Sequence, residues 1–193
     1  MIVGLTGGTG TGKTMISEYF KASGFEVIDY DKVTREIYKK GSECLCELVC
    51  AFGEGILTND GELERRKLGS IVFANKEKLD ILNKIVYKYI LEHTKKQIEE
   101  SKDKKLLLDA PTLFEAELHR ECDYVVGVIA KRDLRLNRIC KRDGLDRESA
   151  LNRVLSQKDD DFYRKNCHFI IENNSSEEEA IKKAEKIIRS ICK

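Results

Sequence analysis

The sequence predicts an α/β fold in which a five-stranded parallel sheet lies between two layers of helices. Five short runs are almost continuously apolar rather than alternating, which is typical of parallel strands covered on both faces. Segments with helical periodicity separate these runs, and that order indicates parallel strands connected by helices. With 193 residues, the chain is long enough for one good core. The predicted strands are 2–5, 26–29, 106–109, 124–130 and 169–171.

The composition argues against several classes of function. A net charge of +1 gives no case for binding nucleic acid or an anionic membrane surface. No apolar run approaches the ~18 residues of a membrane span, and we expect no signal peptide because the sequence starts directly with a predicted strand. The seven cysteines lack the paired spacing of zinc ligands. We interpret them as ordinary reduced cysteines of a cytoplasmic protein.

The loop after the first strand carries the most specific pattern in the chain. Residues 7–14, here called the phosphate loop, read Gly-Gly-Thr-Gly-Thr-Gly-Lys-Thr and match G-x-x-x-x-G-K-[ST] completely. In such a loop backbone N–H groups surround phosphate oxygens, Lys13 reaches the β- and γ-phosphates, and the Thr14 hydroxyl can ligate Mg²⁺. The helix that follows favours an anion at its N-terminus. The pattern predicts a P-loop fold that binds ATP and Mg²⁺ through Gly8, Thr9, Gly10, Thr11, Gly12, Lys13 and Thr14.

The second strand is followed closely by Asp31. Because ligands of open α/β sheets lie beyond the carboxyl ends of the strands, we expect Asp31 at the same edge of the sheet as the phosphate loop. A carboxylate there can accept the proton of an attacking hydroxyl group. Alternatively, Asp31 caps a helix over 32–40, and the two roles are compatible. Asp29 is interpreted as structural or as a group near the metal.

The spacing of the strands predicts three parts. Roughly 75 residues separate the second and third strands, far more than a crossover helix needs. Apolar residues at i, i+3, i+7 and i+11 from Leu79 form one helical stripe within this stretch. We predict a helical acceptor-binding insert over 32–104 and an arginine-rich lid over 134–162. The remaining segments, which form the predicted nucleotide-binding core, are 1–31, 105–133 and 163–193.

The third strand ends at Asp109, the position of a metal-organising aspartate in other phosphate-loop proteins. This signal is weak by itself, because any strand can end in aspartate. Pro111 then introduces a rigid turn, and Leu113 and Phe114 are expected to form an exposed apolar pair at the same edge. The segment is either a plain strand-to-helix turn or a wall of the acceptor pocket.

The second insert is basic, with 11 Lys/Arg and 7 Asp/Glu residues over 131–165. Arg135, Arg138 and Arg142 are spaced i, i+3 and i+7, so they share one helical face. This face is either solvated or belongs to a lid whose guanidinium groups neutralise the transferring phosphoryl group. Such a lid would close on the substrates and exclude water.

The last predicted strand leads into a C-terminal helix. Ser176 and Glu179 have the spacing of a capping box at its start. Apolar residues from Ile181 onwards then recur along one face, which predicts that the helix packs on the sheet.

Several further segments complete a pattern that extends over nearly the whole chain. They are GFEVIDYD at 24–31 with Arg35, the paired Arg65 and Arg66 before IVFAN at 71–75, PTLFE at 111–115, RICKRD at 138–143, Arg153 with Gln157, and IENN at 171–174. Together with the phosphate loop, their order and spacing resemble the dephospho-coenzyme A kinase family.

The resemblance implies a reaction in which ATP, with Mg²⁺, phosphorylates the 3′-hydroxyl of the ribose of dephospho-CoA and gives CoA and ADP. It implies that Asp31 is the catalytic base. It also implies that Lys13, Thr14, Arg138 and Arg142 serve the phosphates.

The resemblance further implies the groups that bind the two substrates away from the phosphates. Asn173 and Asn174 would lie near the adenine of ATP. The acceptor would contact Arg35, Arg65, Arg66, Leu113 and Phe114, although residues alone allow Arg65 and Arg66 to be a plain surface pair.

The chain departs from the family pattern at a few positions. Tyr87 and Lys88 stand where the family usually has His-Pro, and Lys76 stands where proline usually follows I-F-A-N. Glu172 replaces the aspartate of I-D-N-N, and His168 replaces a small or acidic residue. The Tyr87-Lys88 pair affects the acceptor side and leaves the phosphoryl-transfer residues intact.

Two other classes of function fit the phosphate loop. A nucleoside monophosphate, gluconate or shikimate kinase would share the loop and an arginine lid, but should lack the Asp31–Arg35 pairing and the long insert. A guanine-specific switch would need an N-K-x-D element, and both Asn-Lys pairs in this chain are followed by other residues.

Overall fold

A computed structural model describes residues 1–101 and 104–192. The strands are β1 (Ile2–Thr6), β2 (Glu26–Asp29), β3 (Leu106–Asp109), β4 (Tyr124–Ile129) and β5 (Phe169–Glu172). The helices are α1 (Lys13–Ala22), α2 (Tyr30–Ile37), α3 (Glu43–Phe52), α4 (Arg65–Phe73), α5 (Lys76–Glu100), α6 (Arg132–Asp143), α7 (Arg147–Leu155), α8 (Asp160–Asn166) and α9 (Glu177–Ile191). Short 3₁₀ turns occupy Glu54–Ile56 and Leu118–Glu121.

The five strands form one sheet in the order β2-β3-β1-β4-β5, which confirms the predicted parallel α/β fold. The central strand β1 pairs in parallel with β3, where Val3 is opposite Leu107, and with β4, where Leu5 is opposite Val126. Parallel pairing brings the carboxyl ends of these strands to one edge. The loop after β1 and Asp109 at the end of β3 therefore lie side by side.

The described residues form two compact units, and the sheet belongs to the first, which comprises 1–28, 104–114 and 118–192. Its core combines fully buried strand residues such as Val3 and Val128 with Phe20 of α1 and Ala184 of α9. Phe20 meets Phe25 edge-on, with ring centroids 5.1 Å apart. Helices α6, α7 and α8, which cover most of the predicted lid, belong to this same unit.

Helix boundaries in the first unit follow local chemistry. Gly24, at φ 90°, comes directly after the C-cap of α1, where a left-handed residue is favoured. The Ser176 hydroxyl accepts a hydrogen bond from the Glu179 N–H at 3.3 Å and caps α9 as predicted. The Glu179 carboxylate, however, accepts from the Ser175 hydroxyl, so only half of the expected capping box is seen.

The second unit comprises 29–101 and 115–117 and contains α2 to α5. The predicted stripe lies on α5, where Val86 and Ile90 are buried. Tyr30 of α2 and Thr94 of α5 join hydroxyl groups at 2.5 Å, and the Asn75 side chain caps the start of α5. The long helix is therefore held by apolar packing along its length and by polar groups at defined points.

Six of the seven cysteines are either exposed or protected thiols, and this division predicts their reactivity; Cys140 is half-buried. Burial raises the pKa of the Cys44, Cys122 and Cys167 thiols to about 12 in each case. Cys46, Cys50 and Cys192 are exposed. Because the thiolate is the reactive form, we expect the three exposed thiols to react fast with a thiol reagent at pH 8 and the three protected ones only after denaturation. Mass mapping of the labelled sites checks this, and rapid labelling of Cys122 would contradict it.

Candidate active site

The phosphate loop lies between β1 and α1, and its glycines are required by the backbone and by close neighbours. Gly12, the residue before α1, has φ 91°, and Gly10 has φ 80°. A Cβ atom at position 12 would come within 2.3 Å of the Asn173 side-chain nitrogen. Side chains are thus excluded from the turn at both positions, and the backbone N–H groups at the start of α1 stay open to an anion.

Lys13 and Asp109 form an ion pair at the edge of the sheet. Their side chains are only 16% and 13% exposed, so solvent screens the pair weakly. The structure therefore brings together the predicted phosphate-binding cation and the carboxylate at the end of β3. Thr14 follows in the first turn of α1 and is exposed.

Arg135 of α6 and Gln157, which follows α7, both hold Thr9 of the phosphate loop. The Arg135 Nε donates to the Thr9 carbonyl at 3.0 Å, and its Nη2 donates to Gln157 Oε1 at 2.9 Å. Gln157 in turn accepts from the Thr9 N–H at 2.8 Å and donates to the Thr9 hydroxyl at 3.0 Å. Arg135 is only 4% exposed, so the interpretation of a solvated arginine face is wrong for this residue.

Arg138 and Asn173 hold the next two residues of the loop. Arg138 Nη1 donates to the Gly10 carbonyl at 3.2 Å, and Asn173 Nδ2 donates to the Thr11 carbonyl at 2.9 Å. Arg138 Nη2 also reaches the Asn173 carbonyl at 3.3 Å. The side chain of Asn173, predicted near adenine, is buried behind the loop.

Arg142 of the predicted arginine face and Asn174 of the predicted adenine pair do not contact the phosphate loop but have other partners. Arg142 is exposed and forms a bidentate pair with Asp143, at 2.7 and 2.9 Å. Asn174 accepts from the Lys131 N–H at 2.7 Å, directly before α6 begins. The three arginines of the predicted face therefore differ in environment, and Arg142 alone of the three has its guanidinium in solvent and away from the loop.

The expectation of an exposed apolar pair after Asp109 is wrong for Leu113. This side chain is fully buried and fills the space that Gly4 leaves on β1. Phe114 is half-buried and packs edge-on against Phe162 of α8, with ring centroids 5.1 Å apart. Only Phe114 of the pair is therefore available at a surface.

A polar cleft of about 670 Å³ adjoins Arg135 and Gln157 in the first unit. Its wall adds two further cations, Arg132 and Lys158, and Lys158 lies 5.0 Å above the Phe162 ring. Asp160 also lines it, and burial raises the pKa of that carboxyl group although Arg135 and Arg164 oppose the shift. Asp159 and Asp161 line it too, so three carboxylates balance the three cations, and the cleft is a polar surface of mixed charge beside Arg135 and Gln157.

In the second unit, Asp31 lies in the first turn of α2 with its side chain exposed. The residue that caps α2 is Asp29, whose carboxylate accepts from the N–H groups of Asp31 and Lys32 at 2.9 and 3.3 Å. The alternative that Asp31 caps the helix is therefore wrong, and Asp29 has the structural role. Asp31 is left free for chemistry.

Arg35 and Arg65 line one basic cleft of about 210 Å³ in the second unit. Its other lining residues are Tyr38, Lys39, Lys40, Glu62 and Leu63. The Arg65 guanidinium lies 5.5 Å above the centre of the Tyr38 ring, which orients it. Burial raises the pKa of Tyr38 to about 12, so this ring stays neutral. Arg66 is exposed on α4 outside this cleft.

Lys88, one of the departures, connects α5 to α3. Its ammonium group lies 2.9 Å from the Glu47 carboxylate, which also accepts from the Tyr89 hydroxyl at 2.7 Å. Tyr87 is half-buried, and burial, followed by the charge of Glu115, raises the pKa of its hydroxyl. Lys88 therefore has a structural contact within the second unit.

His168, another departure, continues the pairing of β4 and β5. Its backbone N–H donates to the Val125 carbonyl at 2.9 Å, and its Nδ1 accepts from the Val125 N–H at 3.0 Å. Glu172 pairs with Arg164 of α8 at 2.6 Å. His168 and Glu172 therefore connect β5 to its neighbours, His168 to β4 and Glu172 to α8.

The residues of the phosphate loop and of the end of β3 fit a Mg²⁺ ion that is held mainly by the phosphates of a substrate and by few protein groups. Among residues 1–101 and 104–192, no group of three His, Cys, Asp or Glu side chains could enclose a metal ion. Mg²⁺ usually keeps waters and binds through one or two protein groups plus substrate phosphates. The Thr14 hydroxyl and the Asp109 carboxylate are oxygen ligands of the required kind.

The parallel sheet, the complete phosphate loop and the lysine that begins α1 define the chain as a P-loop protein of the small-kinase type. A shikimate kinase from Acinetobacter baumannii shares the fold, with a TM-score of 0.54 at 20% identity over 99% of this chain and 92% of that one. The family model described as dephospho-CoA kinase matches residues 1–179. The chain belongs to the dephospho-CoA kinase family.

Individual relatives agree with this assignment. The dephospho-CoA kinase of Fusobacterium nucleatum is 39% identical over 191 residues, 99% of this chain and 98% of that protein. That of Arabidopsis thaliana is 40% identical over 98% of this chain and 83% of its own length. Among solved structures, dephospho-CoA kinase from Campylobacter jejuni has a TM-score of 0.64 at 28% identity, covering 98% and 96% of the two chains. The protein TT1252 from Thermus thermophilus has a TM-score of 0.86 at 26% identity, covering 100% and 98%.

None of the described helices is both long and apolar enough to cross a membrane.

Proposed function

We propose that this chain transfers the terminal phosphoryl group of ATP to the 3′-hydroxyl of dephospho-CoA and releases CoA and ADP. The observation that carries the proposal is a complete phosphate loop in a chain that the dephospho-CoA kinase model matches over residues 1–179. Seven free cysteines also favour a reducing cytoplasm as the place of this reaction.

The first unit supplies the groups for the donor. The N–H groups of the phosphate loop surround the β-phosphate, and Lys13 neutralises charge that develops on the oxygens between the β- and γ-phosphates. The Thr14 hydroxyl and the Asp109 carboxylate would hold Mg²⁺, which would supply neutralisation of the phosphate oxygens. Arg142 provides an exposed guanidinium that is bonded to Asp143. This guanidinium can exchange the single charge of Asp143 for the phosphates of ATP, which carry more negative charge.

The second unit supplies the groups for the acceptor. Asp31, Arg35 and Tyr38 are spaced i, i+4 and i+7, so they lie on one face of α2 and its C-cap. Asp31 and Arg35 are about 6 Å apart along the axis, since each residue of a helix rises 1.5 Å. The 3′-hydroxyl and the 5′-phosphate of dephospho-CoA are attached to the same ribose. The protein groups that bind them must therefore lie within a few ångströms of each other, as Asp31 and Arg35 do. Asp31 then takes the hydroxyl proton while the basic cleft holds the phosphate.

A coupled assay of ADP release tests the proposal directly. The purified chain is given ATP, Mg²⁺ and, in parallel, dephospho-CoA, nucleoside monophosphates, gluconate or shikimate. We expect turnover with dephospho-CoA and a product with the mass of CoA. Absence of that turnover, or faster turnover with a nucleoside monophosphate, would reject the proposed acceptor.

Replacing Arg65 by alanine is expected to weaken acceptor binding specifically. Loss of a hydrogen bond to a charged group costs about 1.5–3 kcal/mol, which corresponds to a roughly 10–100-fold rise in KM for dephospho-CoA. The KM for ATP should stay within about threefold, because Arg65 belongs to the basic cleft of the second unit. Lys67→Ala is the matched control, since Lys67 is an exposed cation of the same helix that pairs with Glu64 at 3.3 Å. An equal rise in both KM values would contradict this role.

A further inference from the structure

Three consecutive carbonyl groups of the phosphate loop are each held by a side chain from a distant part of the sequence. Arg135 binds the carbonyl of Thr9, Arg138 that of Gly10, and Asn173 that of Thr11. The distances are 3.0, 3.2 and 2.9 Å. The loop is therefore anchored along its length and is more than a glycine-rich turn between a strand and a helix.

The geometry of the peptide group gives these anchors a chemical consequence. In a planar trans peptide, the carbonyl of one residue and the N–H of the next point in opposite directions. Holding the carbonyls of Thr9 and Thr11 from outside therefore directs the N–H groups of Gly10 and Gly12 to the opposite side. The Thr11 N–H closes a turn onto the Gly8 carbonyl at 3.3 Å, which keeps the loop curved.

Gln157 connects this arrangement to the end of α7. Its amide contacts the backbone N–H and the hydroxyl of Thr9 at 2.8 and 3.0 Å, and it also accepts from Arg135. One side chain thus ties the loop to α6 and to the segment after α7. These hydrogen bonds are half-buried, and the one from Arg135 comes from a charged guanidinium, which makes it stronger than a bond between neutral groups.

We propose that Arg135, Arg138 and Gln157 are positioning residues that hold the phosphate loop in its anion-binding shape before nucleotide arrives. This inference rests on the proposed use of the loop for ATP. The guanidinium groups of Arg135 and Arg138 bind loop carbonyls, so the half of α6 that carries them supports the loop in the nucleotide-free protein. A loop that is already ordered does not lose that conformational entropy when ATP binds.

Hydrogen exchange of the nucleotide-free protein tests the proposal without any substrate. Gln157→Leu removes every hydrogen bond of the amide at similar size, and we expect exchange of the Thr11 N–H, which is bonded to the Gly8 carbonyl and not to Gln157, to accelerate on the order of tenfold or more while β4 and α9 keep their rates. Gln157→Glu keeps an acceptor for Thr9 and Arg135, and we expect it to restore protection of the loop. Arg147→Leu is the control, because Arg147 joins α7 to Asp133 of α6 at 2.7 Å at the exposed surface.

Steady-state kinetics give the second readout. For Gln157→Leu we expect the KM for ATP to rise about tenfold with kcat within about threefold, because the cost of ordering the loop falls on ATP binding. Arg147→Leu should leave both values unchanged. Unchanged exchange of the loop in Gln157→Leu, acceleration spread equally over the sheet, or failure of Gln157→Glu to restore protection would each overturn the proposal. If the unaltered chain showed no turnover with dephospho-CoA, the proposed function would fail while the exchange result would still decide this inference.

Discussion

Replacing Asp31 by asparagine should lower kcat with dephospho-CoA by roughly 10²–10⁴-fold, the range expected when a general base is lost. Asparagine keeps the size of the side chain and can still contact the hydroxyl group, but it cannot accept the proton. The fold should survive, because Asp29 caps α2 and the Asp31 side chain is exposed. The kcat measured at saturating ATP and dephospho-CoA checks the prediction.

The control for this variant is Glu36→Gln on the same helix. Glu36 is exposed and pairs with Lys39, one turn along, so its loss should leave kcat within about twofold. Thermal unfolding of both variants should match that of the unaltered chain. A near-normal kcat for Asp31→Asn would show that the carboxylate positions the acceptor or has no role, and the base would have to be sought elsewhere.

Features with a local cause were predictable from sequence. The five strands follow from continuous apolar runs, and they occur within two residues of the predicted bounds. The phosphate loop follows from residue types at fixed spacing. The cap at Ser176 does so too, because its hydrogen bond is made within a few residues. Asp29 and Asp31 show the limit of this reasoning. Both are acceptable caps, and only the backbone of the structure identifies Asp29.

Features that depend on contacts between residues far apart in the sequence were not predictable. Periodicity placed Arg135 and Arg138 on one helical face, but it could not say that this face meets the phosphate loop, which is more than 120 residues away. Gln157 was noted in the family pattern without a role, and its partner Thr9 is 148 residues distant. Leu113 was expected at a surface, yet the glycine at position 4 leaves a space on β1 that the leucine fills. Each of these contacts depends on which elements the fold places side by side.

Replacing Lys13 by alanine should lower kcat/KM for ATP by about 10²–10³-fold, because one preorganised donor to the transferring phosphate is lost. The structure adds a second consequence. Asp109, only 13% exposed, would lose its ammonium partner and would present an uncompensated negative charge beside the phosphate loop. We therefore expect ADP binding to be weakened even when no metal is present. Lys21→Ala, an exposed lysine in the last turn of α1, is the control of equal charge.

A double-mutant cycle separates these two effects. Lys13→Ala combined with Asp109→Asn removes the repelling carboxylate, so we expect it to bind ADP several-fold more tightly than Lys13→Ala alone, when both are measured by calorimetry with EDTA present. With Mg²⁺ the order should reverse for turnover, because the asparagine is a poorer metal ligand than the carboxylate. If the double variant bound metal-free ADP no better than Lys13→Ala, the charge of Asp109 would not act on the nucleotide. The ion pair would then be a structural link between α1 and β3, and the defect of Lys13→Ala would reflect the lost phosphate contact alone.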